Sequence, residues 1–409
     1  MLKYLDESIG PIKVKWLLVA FVVAIVALVV IPAEYEEYRA ETGVGRGFDA
    51  YHRGDYREAV REWQTSAEYG IADAQYNLAT LYERGHGVRQ DDAAAFQWHE
   101  KAAAQGHAGA QNSVALMYKH GRGVAQDYAQ ALHWQRLSAD QNLAIAQNNL
   151  GLMHQQGLGM PANDALAFEW FKKAAEQSLA NAQNVAGAML AQGQGVTHDD
   201  VEAVKWFRLA AAQGVAQAQA NLGMMCQEGK GTERNVFEAI NWHRQAAEQG
   251  VAESQHALGY GFDLGEGVEQ NVDEAVKWYT RAADQGYGPS QLNLGLTYLN
   301  NMGERQEFEN AAMWLERAAD QNMAEAHYAL GRMYLRGQGV KANHPQGLMW
   351  MMLAAQADYP EAARIVKEVR AELPSKVEKK AEQLVEEWQS RGVEPPEEAE
   401  QPEQTEQTE

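Results

Sequence analysis

A single interval of 36 residues governs most of this chain. The stretch EGKGTERNVFEAINWHRQAAEQG at 228–250 returns as LGEGVEQNVDEAVKWYTRAADQG at 264–286. Counted from Ile71, eight units of 36 run without insertion to Asp358. Position 28 is tryptophan in every unit: Trp98, Trp134, Trp170, Trp206, Trp242, Trp278, Trp314 and Trp350. Position 25 is Ala95, Ala131, Ala167, Ala203, Ala239, Ala275, Ala311 and Gly347, and position 33 is alanine throughout. A chain of 409 residues would ordinarily divide into two or three domains, but units that contact only their neighbours extend a fold without one central core.

Positions 25, 28 and 32 share one stripe of a helix, and positions 4, 8 and 12 (Ala74, Leu78, Tyr82) form a stripe on an earlier one. Each unit therefore reads as two amphipathic helices, A then B. Position 9 is always small, Ala79 and Ala115 and then glycine from Gly151 to Gly331. Helix A ends in Gly-x-Gly, as in Gly85-His86-Gly87, where glycine supplies the left-handed turn that stops a helix. No Gly-Lys-Ser/Thr follows and no strand precedes it, so it is not a phosphate loop. Helix B opens on an N-cap residue: Asp91, Asp127, Asn163, Asp199, Asn235, Asn271 or Asn343. Three residues on, Gln130, Glu202, Glu238, Glu274 and Gln346 are placed to reach back as in a capping box. The tryptophan row is expected to be buried, with Trp206→Ala destabilising by ~3–5 kcal/mol. The seventh unit departs, with Asn301, Glu304 and Glu307 at loop positions that are otherwise Gly, Val and Asp or Asn.

The skeleton A-x-A-x-x-x-L-G-x-x-Y-x-x-G-x-G-V, then D-x-x-x-A-x-x-W-x-x-x-A-A-x-x-G, resembles the Sel-one-like repeat (SLR) family, solenoid relatives of the tetratricopeptide repeat. The second unit, HAGAQNSVALMYKHGRGVAQDYAQALHWQRLSADQN, shows it plainly. The resemblance covers residue 47 to about 391. It implies an all-α, right-handed α-solenoid superhelix and an adaptor role in assembling protein complexes, often in bacterial proteins that are periplasmic, membrane-bound or secreted. It carries no shared catalytic residues. His154, Leu190 and Cys226 depart from its tyrosine slot.

The ends add further segments. Residues 16–33, WLLVAFVVAIVALVVIPA, hold no charge and as a helix would cover ~27 Å, close to a bilayer's hydrocarbon core. Lys13 and Lys15 precede them, which predicts a cytoplasmic N-terminus (1–15) and an inner-membrane, single-pass protein with its repeats in the periplasm. A cleaved signal peptide fits less well, because the apolar run is long and Ile31 stands where a small residue is wanted. Residues 34–46 read as a linker, 47–70 as a partial repeat, 71–358 as the eight repeats and 359–392 as two charged closing helices, the second opening on Ser375 and Glu378. Residues 393–409 hold seven Glu, three Pro and no aromatic, which predicts a disordered acidic tail.

The net charge of −21 argues against a nucleic-acid partner. Cys226 is the single cysteine and reads as a buried small hydrophobe. The twelve His residues scatter over repeat positions, and His99-Glu100 lacks the second His of a zincin, so no metal, cofactor or small-molecule substrate is expected. No G-x-S-x-G occurs, and the chain does not read as an enzyme. Helix A positions 3, 7, 10 and 14 form a separate stripe that should face the concave side. Position 7 carries Asn77, Asn149, Asn221 and Asn293, whose amides could serve a peptide backbone. Position 10 carries Leu116, Leu152, Met224, Tyr260 and Leu296, a candidate apolar floor. Packing between units is the competing role for these residues, and also for Met117, Met153, Met189, Met225 and Met333 at position 11. The reading is a membrane-anchored scaffold for a protein or peptide partner. The alternatives are a periplasmic wall-associated or hydrolytic protein, and a spacer presenting the acidic tail.

Overall fold

The structure, a computed structural model, describes residues 31–301 and 305–390. The expected membrane-crossing segment, but for its last three residues, lies outside them, as do the loop 302–304 and the acidic tail. The described residues form twenty α-helices and no strand. None of these helices is long and apolar enough to cross a membrane. The described residues fall into two compact blocks, divided between Gln177 and Ser178. In each, helical hairpins follow one another, every repeat contributing a helix A such as Ala72–Arg84 and a helix B such as Asp92–Ala104.

The first block opens with a full hairpin where a linker and a shortened repeat were expected. Residues 34–46 belong to a 22-residue helix, Ile31–His52, that pairs with Tyr56–Glu68. Gly43 and Gly47 sit inside this helix because they let the partner helix approach. A β-carbon on Gly47 would collide with the Trp63 indole, and one on Gly43 would stand 3.2 Å from the Glu62 carbonyl oxygen. Ser66 Oγ donates to Ala40 O at 2.6 Å and Trp63 Nε1 to Val44 O at 3.1 Å, which fixes the pair.

The column of large buried side chains on helix B is position 29, one residue past the tryptophan. His99, Gln135, Phe171, Phe207, His243, Tyr279, Leu315 and Met351 occupy it, and all are buried. Each lies over position 9 of its own helix A. A β-carbon on Gly151 would stand 2.9 Å from the Phe171 ring, one on Gly187 2.9 Å from Phe207, and one on Gly259 2.8 Å from Tyr279. The small residue is required because a ring fills the space its side chain would take.

The tryptophan row is correspondingly shallower than expected. Trp278, Trp314 and Trp350 are buried, but Trp98, Trp134, Trp170, Trp206 and Trp242 are half-buried. They plug the seams between repeats. Trp134 packs on a cluster of Ala95, Ala102 and Ala103 from the preceding repeat with Val114 and Met117 from its own. In four repeats the indole face meets a cation one turn on, as with Lys101 3.9 Å above Trp98 and Arg281 4.4 Å from Trp278. An aromatic that is apolar on one side and cation-bearing on the other suits a seam better than a core.

A pair of glutamines, unremarked in the sequence reading, bolts three successive helices together. Position 5 of helix A and position 35 after helix B bond at 2.7–2.9 Å in seven repeats, Gln105 Nε2 to Gln75 Oε1 being the first and Gln321 to Gln291 the last. The position-5 amide then donates backwards to a helix B carbonyl of the preceding repeat, as Gln219 Nε2 does to Ala211 O at 3.2 Å and Gln255 to Ala247 O at 3.1 Å. Gln219→Ala removes the acceptor of the Gln249 side-chain amide and one of the two donors to the Ala211 carbonyl, which keeps the Gly214 N–H, and is expected to destabilise by about 0.5–1.5 kcal/mol in urea titration.

The caps follow the sequence with one correction. Asp91, Asn163, Asp199, Asn235, Asn271 and Asn343 accept the N–H three residues on, at 2.9–3.2 Å. The carboxylates expected to reach back turn to cations instead: Glu202 to Lys205 at 2.7 Å, Glu238 to Arg208 at 2.5 Å, Glu274 to Lys277 at 2.6 Å and Glu378 to Arg370 at 2.9 Å. In the irregular seventh repeat helix B is Arg305–Asp320, sixteen residues against the usual thirteen, so it begins about a turn early. The second block closes with Ala362–Glu372 and Ser375–Ser390, both packed on His344–Gln356.

Candidate partner-binding face

Helix A buries positions 4, 8, 9 and 11 and leaves positions 3, 7, 10 and 14 nearer its surface. The methionines of position 11 are core: Met117, Met153, Met189, Met225 and Met333 are at most 2% exposed. On the outer stripe the asparagines largely bond within the fold. Asn149 is buried and donates from Nδ2 to Asn112 Oδ1 at 3.1 Å, while Asn221 makes the same bond to Asn184 Oδ1, also at 3.1 Å. Asn293 Nδ2 donates to the Tyr279 hydroxyl at 3.2 Å, and Asn77 is half-buried.

The apolar positions divide by block. In the first, Leu116 and Leu152 are buried. In the second, Met224 is 44% exposed and Tyr260 38%, with Leu296 half-buried in the following repeat. Leu264, at position 14 beside Tyr260, is 56% exposed, and the sequence reading did not single it out. Its register was right, but position 14 changes character from repeat to repeat, so no pattern marked it.

Beneath Tyr260 lies a polar floor. The Tyr279 hydroxyl accepts from Asn293 and lies beside the Asp263 carboxyl. Burial pushes both the Tyr279 hydroxyl and the Asp263 carboxyl up from their usual ranges. A cleft where both helices of repeat five meet helix A of repeat six, lined by Gln227, Ile240, Ala257 and Tyr260, holds a cavity of about 10 Å³, room for one water at most. This face can hold a surface laid along it.

Several ionisable groups elsewhere are buried within the fold. Among the described residues no three His, Cys, Asp or Glu side chains converge as a metal set would. The Cys226 thiol is buried and its pKa raised by that burial, which disfavours a thiolate. His243 occupies position 29, bonds Ser254 Oγ at 3.1 Å and is held neutral by burial, its pKa lowered to about 4. His256, bonded to Ser290 Oγ at 2.9 Å, is lowered likewise to about 4. Because the folded values lie below the unfolded one, the unfolded chain takes up these protons first. Their contribution to stability is complete above about pH 6.5 and is lost as pH falls toward 4, by up to about 1.4 kcal/mol per unit for each group. The variant H243F/S254A recreates the Phe207–Ala218 combination of the preceding repeat. Urea melts at pH 7 and pH 5 should show it losing less stability between the two than the parent.

Comparison with known proteins gives a consistent picture. The Sel1 repeat pattern matches residues 72–107, 108–143, 144–179, 180–215, 216–251, 252–287, 288–323 and 324–359. A protective antigen of uropathogenic Escherichia coli strains displaying an SLR fold superposes with a TM-score of 0.75 at 29% identity, covering 87% of this chain and 85% of that one. A Sel1 repeat protein from Oxalobacter formigenes gives 0.57 at 30% identity, covering 76% and 89%. An exopolysaccharide production negative regulator of Rhizobium leguminosarum bv. viciae is 40% identical over 57 residues, which is 14% of this chain and 21% of that protein.

Proposed function

The chain belongs to the Sel1 repeat family, and from that premise we propose that it is a non-catalytic adaptor that holds a protein or peptide partner along its helices A, anchored in the inner membrane by residues 16–33. The observation that carries the binding role is the exposed pair Met224 and Tyr260, apolar side chains at one register position of touching helices A. Large apolar groups repeated in line at a surface mark a place where another molecule sits. The uncharged run 16–33 with lysines before it supports a cytoplasmic N-terminus and periplasmic repeats.

A photoreactive phenylalanine at Tyr260, expressed in the native cell, should give a discrete crosslinked band that is weak or missing when the same probe replaces Phe237 on helix B. Equal labelling at both positions would remove the helix A face from the proposal. Fusing alkaline phosphatase after Glu409 should give active enzyme; an inactive fusion alongside a fluorescent cytoplasmic reporter would reverse the topology.

A further inference from the structure

The helices A of repeats five to seven, Ala216–Glu228, Ala252–Leu264 and Gly288–Asn301, contain no Lys or Arg. They contain three acids, Glu228, Glu253 and Asp263. The cations of the adjoining loops are occupied, Lys230 on Glu228 at 2.6 Å and Arg234 on Glu266 at 2.7 Å. Among the described residues neither Asp263 nor Glu253 makes an ion pair. His256, on the same helix, packs on Tyr279 and Tyr287, bonds Ser290 and is kept neutral by its burial.

Asp263 lies three residues after Tyr260 and one before Leu264, so all three side chains occupy neighbouring points of one helix surface. The Tyr279 hydroxyl, which takes the Asn293 amide, lies beside its carboxyl. The carboxylate is half-buried and flanked by an exposed aromatic ring and an exposed leucine. Partial desolvation strengthens its attraction for a cation, and a ring face beside it adds a cation–π contact.

We infer that the partner of this face is a peptide segment carrying a basic side chain, which inserts between the Tyr260 ring and the Asp263 carboxylate while adjacent apolar residues cover Met224 and Leu296. Apolar side chains on either side supply burial, and the half-buried Asp263 charge, unlike the exposed Glu253, supplies direction along the face. This rests on the adaptor reading above and names the chemistry of its partner.

A phage-displayed random dodecapeptide library selected on the detergent-solubilised full chain tests it. Enriched peptides are expected to carry Lys or Arg next to Leu, Phe or Met. A synthetic peptide of the winning sequence should bind D263N at least tenfold more weakly, with the loss shrinking at high salt. D263N keeps an oxygen beside the Tyr279 hydroxyl, and its thermal melt should match the parent. M224E should weaken the same peptide without changing its preference for a basic residue. If selected peptides lack basic residues, or bind D263N as well as the parent while losing M224E, the basic-anchor inference is wrong and the adaptor face stands. If no peptide is enriched, or binding survives both D263N and M224E, the inference and the face fail together.

Discussion

Phe207→Ala is expected to lower the free energy of unfolding by about 3–5 kcal/mol, and Trp206→Ala, one residue earlier, by only about 2 kcal/mol. The order is the opposite of what the sequence suggests, since the tryptophan never varies and its neighbour does. Phe207 is 2% exposed and its ring rests on Gly187, where a β-carbon would stand 2.9 Å away. Removing it leaves a cavity that a glycine-lined floor cannot fill. Trp206 is half-buried at a seam, so water can take part of the volume the indole vacates. Chemical denaturation of both single variants gives the comparison directly. A larger loss for Trp206→Ala would return the dominant role to the indole row.

The second large effect separates the two glycines of one loop. Gly121→Ala should cost about 1–2 kcal/mol, the penalty of a left-handed conformation, because φ is +68° and the nearest atom to an added β-carbon is 3.4 Å away. Gly123→Ala carries the same penalty, with φ +67°, and drives the new carbon into the Asp92 carbonyl at the start of the preceding helix B. Overpacking against backbone adds about 1–3 kcal/mol, so the total is about 2–5 kcal/mol. The first glycine stops a helix, and the second joins one repeat to the one before it. Gly87, Gly159, Gly231, Gly267 and Gly339 face the preceding helix B in the same way. Equal melting temperatures for the two variants would contradict the division of labour.

Those two contrasts show where sequence reading succeeds and where it stops. Period, helix pairs, N-caps and glycine stops were legible because each rests on a residue type with one local job. Position 29 was not, because His, Gln, Phe, Tyr, Leu and Met all fill it: depth requires volume and fit, and several chemistries supply both. The glutamine bolt was hidden differently. Gln75 and Gln105 recur faithfully, but their bond spans 30 residues, and nothing local announces it. The N-terminal hairpin was not legible because the role of Gly43 and Gly47, close contact with the helix Tyr56–Glu68, shows only in space. On the candidate face the register of Met224 and Tyr260 was readable, whereas the exposure that distinguishes them from Leu116 and Leu152 depends on neighbours in space. Asp263 gains its interest only from the Tyr279 hydroxyl beneath it, a contact from helix B of the same repeat.

Excising one whole repeat tests the architecture most directly. Deleting residues 216–251 joins Val215 to Ala252, both at the start of a helix A, and brings Gln255 to the Ala211 carbonyl that Gln219 held. Every joint is then replaced by its equivalent. The shortened protein should fold, melt cooperatively and lose circular dichroism for two thirteen-residue helices. A shortened chain that is unfolded or molten, while the parent is native, would show that these repeats depend on a common core and are not joined neighbour to neighbour.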